Sequence, residues 1–444
     1  MSLREKAATL DALAVSRHHP GGQELLHSVW LTEDRSAVQR YDISDNAGSW
    51  SAVYGASQAF RFAVTREPEA LAQVKRILRG QETLLRITGV PGLLARAYVN
   101  PALPGFPNEA QLYASYPNCD LTAAHCKRWS KVETGDYAGL LFKNDVSKDE
   151  YVGHVFALGA VAQLVDDVEV RDTAASLLRE IAEHLIDHDL ELTDIDGKTT
   201  AFGYLSPISL NDFPGFNALL ALSWLRTAAA VTQDARLERY YQSCLVQDDL
   251  SSCERPAITT DDSYLVHLGA MGLDLDCMTN WNNHHMAQLA MFGLLQYERD
   301  PALRRRYQEV LARGLWDSGD PRPMRVQENA MFTLFYEINR DPASPPPDAE
   351  LEQAICLLKR FPVEKTQRAV DTTRYPEVCR DRSDEPLTGV VIPLEERPIG
   401  NYLWKKNPYK MLQEPEEPRA VDSPEDFLLA YWVGRYFGII SPDL

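Results

Sequence analysis

The sequence predicts an all-α chain, an (α/α)6 toroid of six inner and six outer helices with small β-hairpin insertions. Two observations carry that expectation: apolar residues recur with the helical period along most of the chain, and the helical stretches come in pairs of unlike character. The pairs, in order, are REKAATLDALAVSRH with SWSAVYGASQAFRFAVT, PEALAQVKRILRGQETLLRIT with KDEYVGHVFALGAVAQLV, and EVRDTAASLLREIAEHLIDH with PGFNALLALSWLRTAAAVT. The second half continues with DARLERYYQSCLV and NNHHMAQLAMFGLLQYE, PALRRRYQEVLARGLW and QENAMFTLFYEIN, PDAELEQAICLLKRF and PEDFLLAYWVGRYFGII. Each first member is charged on one face, the pattern of a surface helix; each second member is apolar nearly all round, the pattern of a helix enclosed by others. A helical solenoid would show a clearer sequence repeat, and none is visible.

Between the helices, LELTDIDGKTTAFGYLS alternates around Asp196-Gly197, a hairpin-turn dipeptide. Asp194, Asp196 and Gly197 resemble the start of a calcium loop, but the closing glutamate is missing, so a turn is expected. Connections at about 99–146 and 362–423 are long and rich in proline and glycine, and segments of that length tend to form functional rims. The whole chain, 1–444, reads as a single toroid domain.

Composition narrows the function. A formal net charge of −19 argues against nucleic acid, because phosphate needs a lysine and arginine excess; an anionic small ligand would require a local basic pocket. No run of about 18 apolar residues suggests a membrane span, and the first residues lack a secretory apolar block, so the reading is cytoplasmic as written, or exported if a leader was removed. A homo-oligomer is allowed. The 7 cysteines show no zinc spacing; an odd count favours free thiols, with Cys119/Cys126 and Cys244/Cys253 as bridges in an oxidising compartment. Phosphate-binding loops and dinucleotide fingerprints are absent, and no cofactor is expected.

In a toroid the inner helices all start at one end, so the residues at their starts should converge on one cavity. These are Asp45, Asn46, Trp50 and Tyr54; Asp145, Asp149, Glu150 and His154; Asn211, Asp212 and Asn217. The second half adds Asn280, Trp281, Asn282, Asn283, His284 and His285; Glu328 and Asn329; Asp422 and Asp426. Any of the Asp and Asn residues could simply be an N-cap. Ser147 and Glu150 fit a capping box, which competes with a chemical role for Glu150. His154 lies one turn beyond Glu150 on the same face, where a carboxylate beside an imidazole suits acid–base work but a buried structural histidine is equally at home. His284 and His285 point about 100° apart, so one faces the cavity and the other packs between helices. The asparagines and Trp281 suit hydroxyl-rich sugar rings better than a metal ion, although His154, one of the His pair and a carboxylate could converge on one.

The paired helices with Asp, Glu, His, Trp and Tyr at the inner starts resemble the (α/α)6 carbohydrate-active enzymes: glycoside hydrolases, polysaccharide lyases and sugar epimerases. DVSKDEYVGHVFAL, DIDGKTTAFGYLSP, RPIGNYLWKKNPY and DFLLAYWVGRYFGII also resemble segments of a group of bacterial proteins, many with export signals; that resemblance supports the fold and names no reaction. The first implies a glycan or glycoside substrate and, most simply, a glycoside hydrolase. Its catalytic carboxyls would come from Asp149, Glu150 and Glu328 with His154 assisting. Asp45, Trp50, Tyr54, Asp145, Asn217, Asn280, Trp281, Asn283, His284, His285 and Asn329 would contact substrate. Three alternatives remain: a uronate lyase or epimerase with His or Tyr as base and Arg96 or Arg435 at the carboxylate; a terpenoid-type acid–base enzyme in a cavity walled by Met286, Met291, Phe292, Met331 and Phe332; and a non-catalytic helical scaffold.

Overall fold

The computed structural model describes every residue except 116–127, 207–212, 255–261, 399–406 and 413–416. Fourteen α-helices occur among the described residues, and twelve of them form the two rings. The outer helices are α1 Leu3–Leu13, α3 Pro68–Arg86, α5 Val168–Asp187, α7 Ala235–Tyr240, α9 Pro301–Val310 and α11 Asp348–Arg360. The inner ones are α2 Ala47–Thr65, α4 Lys148–Leu164, α6 Pro214–Thr232, α8 Trp281–Tyr297, α10 Ala330–Asn339 and α12 Glu425–Tyr436. Helices α7 and α9 each continue into a π-helical turn, Tyr241–Val246 and Leu311–Trp316. Neighbouring inner helices pack in the order α2, α4, α6, α8, α10, α12, and α12 packs back against α2, closing the ring. The fold is therefore the (α/α)6 toroid that the alternation of charged and apolar helices predicts.

The physical difference between the rings is plain in their burial. Every residue of α8 is buried except Gln296, whereas α9 buries only Tyr307 and Gln308. Small residues let the inner helices approach closely. A side chain on Gly153 would put its Cβ 2.1 Å from Ser49 Oγ, and one on Gly159 would meet Thr227 and Tyr297 at 2.9 Å. The ring axis is filled by aromatic rings: Phe292 of α8 has Phe335 at 4.5 Å, Phe156 at 5.6 Å, Phe437 at 6.2 Å and Phe60 at 6.4 Å. Met286, Met291 and Met331 are buried in the helix packing as well.

Short strands decorate the end at which the inner helices begin. Strands β1 Ser28–Leu31, β2 Val38–Asp42, β8 Lys365–Thr366 and β11 Ala420–Asp422 form a sheet in the order β2-β1-β11-β8. The β1–β11 pairing, Val29 opposite Val421, joins the first inter-helix connection to the last. Strands β3 Ala97–Val99, β4 Trp129–Lys131 and β5 Leu141–Lys143 form a second sheet, with β5 central. Strands β6 Glu191–Thr193 and β7 Thr199–Tyr204 form the expected hairpin, turning at Gly197 with φ 75°. Asp194 there serves the backbone and its neighbours: its carboxylate accepts from Asn144 Nδ2 and from the Asp145 and Ile195 amides. Strands β9 Glu377–Arg380 and β10 Pro386–Thr388 form another hairpin inside the long 362–423 connection.

Cysteine pairing departs from the free-thiol expectation. Cys244 is bonded to Cys253, and Cys277 to Cys379, while Cys356 is free and exposed. The second bridge spans 102 residues and joins the loop before α8 to strand β9, a partnership that only the tertiary fold creates. Cys119 and Cys126 lie outside the described residues.

Because α12 closes the ring, its loss should be global. It buries Phe427, Leu428, Leu429, Tyr431 and Val433 almost completely, each worth about 1.5–3 kcal/mol against a total stability of about 5–15 kcal/mol. A fragment ending at residue 421 is expected to be insoluble. Its recovery as a cooperatively unfolding monomer, by calorimetry and gel filtration, would contradict the closure.

Candidate active site

The starts of α2, α4 and α8 meet at a cavity of about 470 Å³. Asp45 and Asn46 reach it from the start of α2, Ser147 and Asp149 from α4, and Thr279, Asn280 and Trp281 from α8. Arg96 lines it from the residue before β3, and Asp381, Arg382 and Ser383 from the turn of the β9–β10 hairpin. The wall is polar, with Phe202 and Trp281 as its aromatic members and no methionine among the described lining. A larger hollow of about 800 Å³ opens at the other end of the ring, between the last turns of α4, α6 and α8 and the first turns of α5 and α7.

Asp149 is the carboxylate best placed to meet a ligand. Its Oδ2 accepts hydrogen bonds from Asn282 Nδ2 at 2.5 Å and Asn46 Nδ2 at 3.5 Å, and no cation pairs with it among the described residues. Two amide donors on one oxygen make that oxygen an acceptor and leave Oδ1 free to act. Asp45 differs, being held by Lys143 and, at 3.2 Å, by Arg96. Asp381 is committed to its own turn, accepting from the Ser383 and Glu385 amides at 2.8 and 3.0 Å.

Trp281 is braced as a fixed wall. Its indole stacks on His284 at 4.8 Å and 15°, abuts Tyr409 at 5.2 Å, and has the Arg322 guanidinium 5.2 Å from its ring centre. Arg322 is in turn anchored by Asp274. Burial holds His284 down at about 4, so the ring behind Trp281 is a neutral stacking partner near neutral pH.

Behind Asp149 lies a fully buried layer. The expected capping box does not form: Ser147 makes no side-chain cap bond, and Glu150 Oε2 accepts from the backbone amide of Ser49 in α2 at 2.9 Å. The reason is the parallel packing of α2 and α4, which places an orphan amide of one helix start against the glutamate of the other. Burial pushes the Glu150 carboxyl well above the usual carboxylate range. His154 Nδ1 faces Gln81 Nε2 at 3.0 Å, and its Nε2 lies 3.5 Å from Glu150. With Gln81 donating to Nδ1, the proton of a neutral ring sits on Nε2, which makes no hydrogen bond among the described residues. Gly48 makes room for this layer, since a Cβ there would lie 2.6 Å from Glu150 Oε2, 2.9 Å from Leu84 and 3.0 Å from His154 Nε2.

The structure thus brings together part of the sequence-derived set. Asp45, Asp149, Asn280 and Trp281 line the cavity; Glu150 and His154 lie behind it. Glu328 is turned elsewhere: its Oε1 accepts from Gln353 of α11 at 3.2 Å, so it does not face Asp149. Tyr54 packs edge-on against His19 in the core, and Trp50 packs against the core as well. Asp145, at φ 56°, binds the Ala201 amide, while Asn217 accepts from Lys148 Nζ and donates to the Ser206 carbonyl. Asn329 caps α10, Asn283 is buried outside the lining, and His285 packs on Phe332 at 5.2 Å. Asp426 is paired with Lys365, Asp422 accepts from Ser28, and Asn211 and Asp212 lie outside the described residues. Arg435 donates to the Tyr431 hydroxyl at 3.0 Å, away from the cavity. The hairpin residues and Lys410 were not legible as site residues, because only the β9–β10 fold-back and the Cys277–Cys379 bond carry that segment to α8.

No family model and no curated protein matches the chain. Among solved structures it is similar to a GH76 α-mannanase of Bacteroides thetaiotaomicron, with TM-score 0.43 and 10% identity, over 98% of this chain and 95% of that one. A family 9 endoglucanase aligns with TM-score 0.46 and 11% identity, over 98% and 84%. An unsaturated glucuronyl hydrolase specific for heparin aligns with TM-score 0.44 and 7% identity, over 98% and 96%.

Two outcomes follow from the geometry. Gly48→Ala should destabilise the fold by about 1–3 kcal/mol, the usual cost of overpacking, read as a lowered denaturant midpoint; an unchanged midpoint would show that the buried layer is loose. His154 is held by burial at about 3, and His18, His27 and His184 at about 4. The unfolded chain takes up protons near pH 6.5 that these folded rings refuse, so stability present above pH 6.5 falls toward pH 4, by about 1.4 kcal/mol per group and pH unit. Asp11 and Glu425, raised by burial to about 6 and about 7, act with the opposite sign, Asp11 between pH 3.8 and about 6 and Glu425 between pH 4.5 and about 7. Histidine NMR should find the His154 ring neutral at pH 5; a midpoint near 6.5 would contradict its burial.

Proposed function

We propose that this chain is an enzyme acting on a glycan, cleaving a glycosidic bond in the cavity at the inner-helix starts. The observation that carries the reading is Asp149, an acceptor carboxylate with no cation partner among the described residues, set on a polar wall beside the braced face of Trp281. Amide and carboxylate groups on such a wall suit the hydroxyls of a sugar ring, with Trp281, only 5% exposed, closing one side. Asp149 would activate water or attack the anomeric carbon. Glu150, adjacent in sequence and raised by burial, would hold a proton in the buried layer behind it.

Elimination at a uronate is favoured by one feature, the buried Arg96 on the wall. Its base would have to be histidine or tyrosine, and neither is among the described lining residues. A terpenoid cavity would need an apolar wall, but Phe292 fills the ring axis. The two disulfides support an oxidising compartment rather than the cytoplasm. No helix among the described residues is long and apolar enough to cross a membrane.

The test is release of aryl aglycone from a panel of α- and β-linked glycosides, with unsaturated uronides included. Asp149→Asn should lower kcat by about a thousandfold or more with an unchanged melting temperature, and Asn282→Ala should lower it less. Equal rates for wild type and Asp149→Asn would remove Asp149 from the mechanism.

A further inference from the structure

Resting on the reading of this cavity as a glycan site, we infer that it takes an acidic sugar, a hexuronate whose carboxylate is bound by Arg96 and Arg382. The chain as a whole is strongly acidic, at −19, whereas the described lining of this cavity sets three cations, Arg96, Arg382 and Lys410, against the carboxylates of Asp45, Asp149 and Asp381. Arg96 is held with its side chain only 5% exposed. Its Nε donates to the Asp145 carbonyl at 2.7 Å and its Nη1 lies 3.2 Å from Asp45. That leaves Nη2 without a partner among the described residues, on a side chain that lines the cavity. Asp45, with its side chain 31% exposed, is shared with Lys143, so one carboxylate serves two cations.

The second cation arrives from the other side. Arg382 sits in the turn between β9 and β10, lines the same cavity, and makes no ion pair or hydrogen bond among the described residues. The Cys277–Cys379 bond anchors its hairpin to the loop leading into α8, and so to the Trp281 wall. Lys410 lies beside it, 3.6 Å from Glu385. The helix starts of α2, α4 and α8 add their positive dipole ends at the same place. A planar carboxylate meets guanidinium groups with two parallel hydrogen bonds, a match that a neutral hydroxymethyl group lacks. Asp149 opposes an anion here by its own charge. A hexuronate satisfies both features when its carboxylate points to Arg96 and Arg382 and its anomeric carbon to Asp149.

The experiment uses the full-length protein and matched pairs of ligands, glucuronides and galacturonides against the corresponding glucosides and galactosides, as aryl substrates and as oligosaccharides on a glycan array probed with Asp149→Asn. The expected result is preference for the uronate member of a pair by tenfold or more in kcat/KM or in binding. Arg382→Ala should raise KM for the uronide at least tenfold, narrow the uronate-over-neutral preference by a similar factor, and be partly rescued by Arg382→Lys. Turnover or binding of neutral sugars alone would overturn the acidic-sugar assignment and leave the glycan reading standing. No binding or turnover of either class would overturn both. An Arg382→Ala variant that loses uronide and neutral sugar alike, or that loses neither, would also overturn the assignment, because Arg382 would then not read the carboxylate.

Discussion

Phe292 occupies the space that six inner helices would otherwise leave along their common axis. Its neighbours, Phe60, Phe156, Phe335 and Phe437, come from three other inner helices and the residue that follows α12, so one aromatic cluster joins parts of the chain far apart in sequence. Large rings at the axis and small residues at the helix contacts are complementary demands of dense packing. Gly153 and Gly159 let α4 close on its neighbours, while the phenylalanines fill what closeness alone cannot. With the axis filled, the two ends of the ring are separate surfaces, and only one of them gathers the inner-helix starts.

That end carries one set of buried polar groups, handed from one element to the next. Lys148 of α4 serves Asn217 of α6; Glu150 of α4 serves an amide of α2; Lys365 of β8 pairs with Asp426 of α12; Arg397 donates to the Gln327 and Glu328 carbonyls before α10. Buried charge is tolerated only when paired and hydrogen-bonded. These exchanges fix the relative positions of the inner helix starts, and the cavity is what lies between them.

Legibility followed the range of the interactions. The twelve helices could be read because amphipathicity is local: a charged face or its absence is visible within about three turns. The hairpin at Asp196-Gly197 could be read because its turn is set by adjacent residues. The convergence of Asp45, Asp149, Asn280 and Trp281 followed from one geometric consequence of the toroid, the common direction of its inner helices. The pairing of Asp149 with Glu328 did not follow, because the rotation of each helix start decides which side chain faces the cavity, and Glu328 is rotated toward α11. The capping box at Ser147 failed for a related reason: an orphan amide on a neighbouring helix competed for Glu150.

By itself, then, the sequence determined the element types, their pairing, their inward or outward character, and a short set of polar residues at one end of the ring, because all of these depend on patterns within one helix. The tertiary structure alone decided that Asp149 is held by Asn46 and Asn282, that Glu150 and His154 lie behind the cavity, and that Arg382 is brought over it by a hairpin bonded through Cys379 to Cys277. These depend on contacts between residues about 75 to 130 positions apart or linked across 102 residues of chain, whose distances no local pattern encodes.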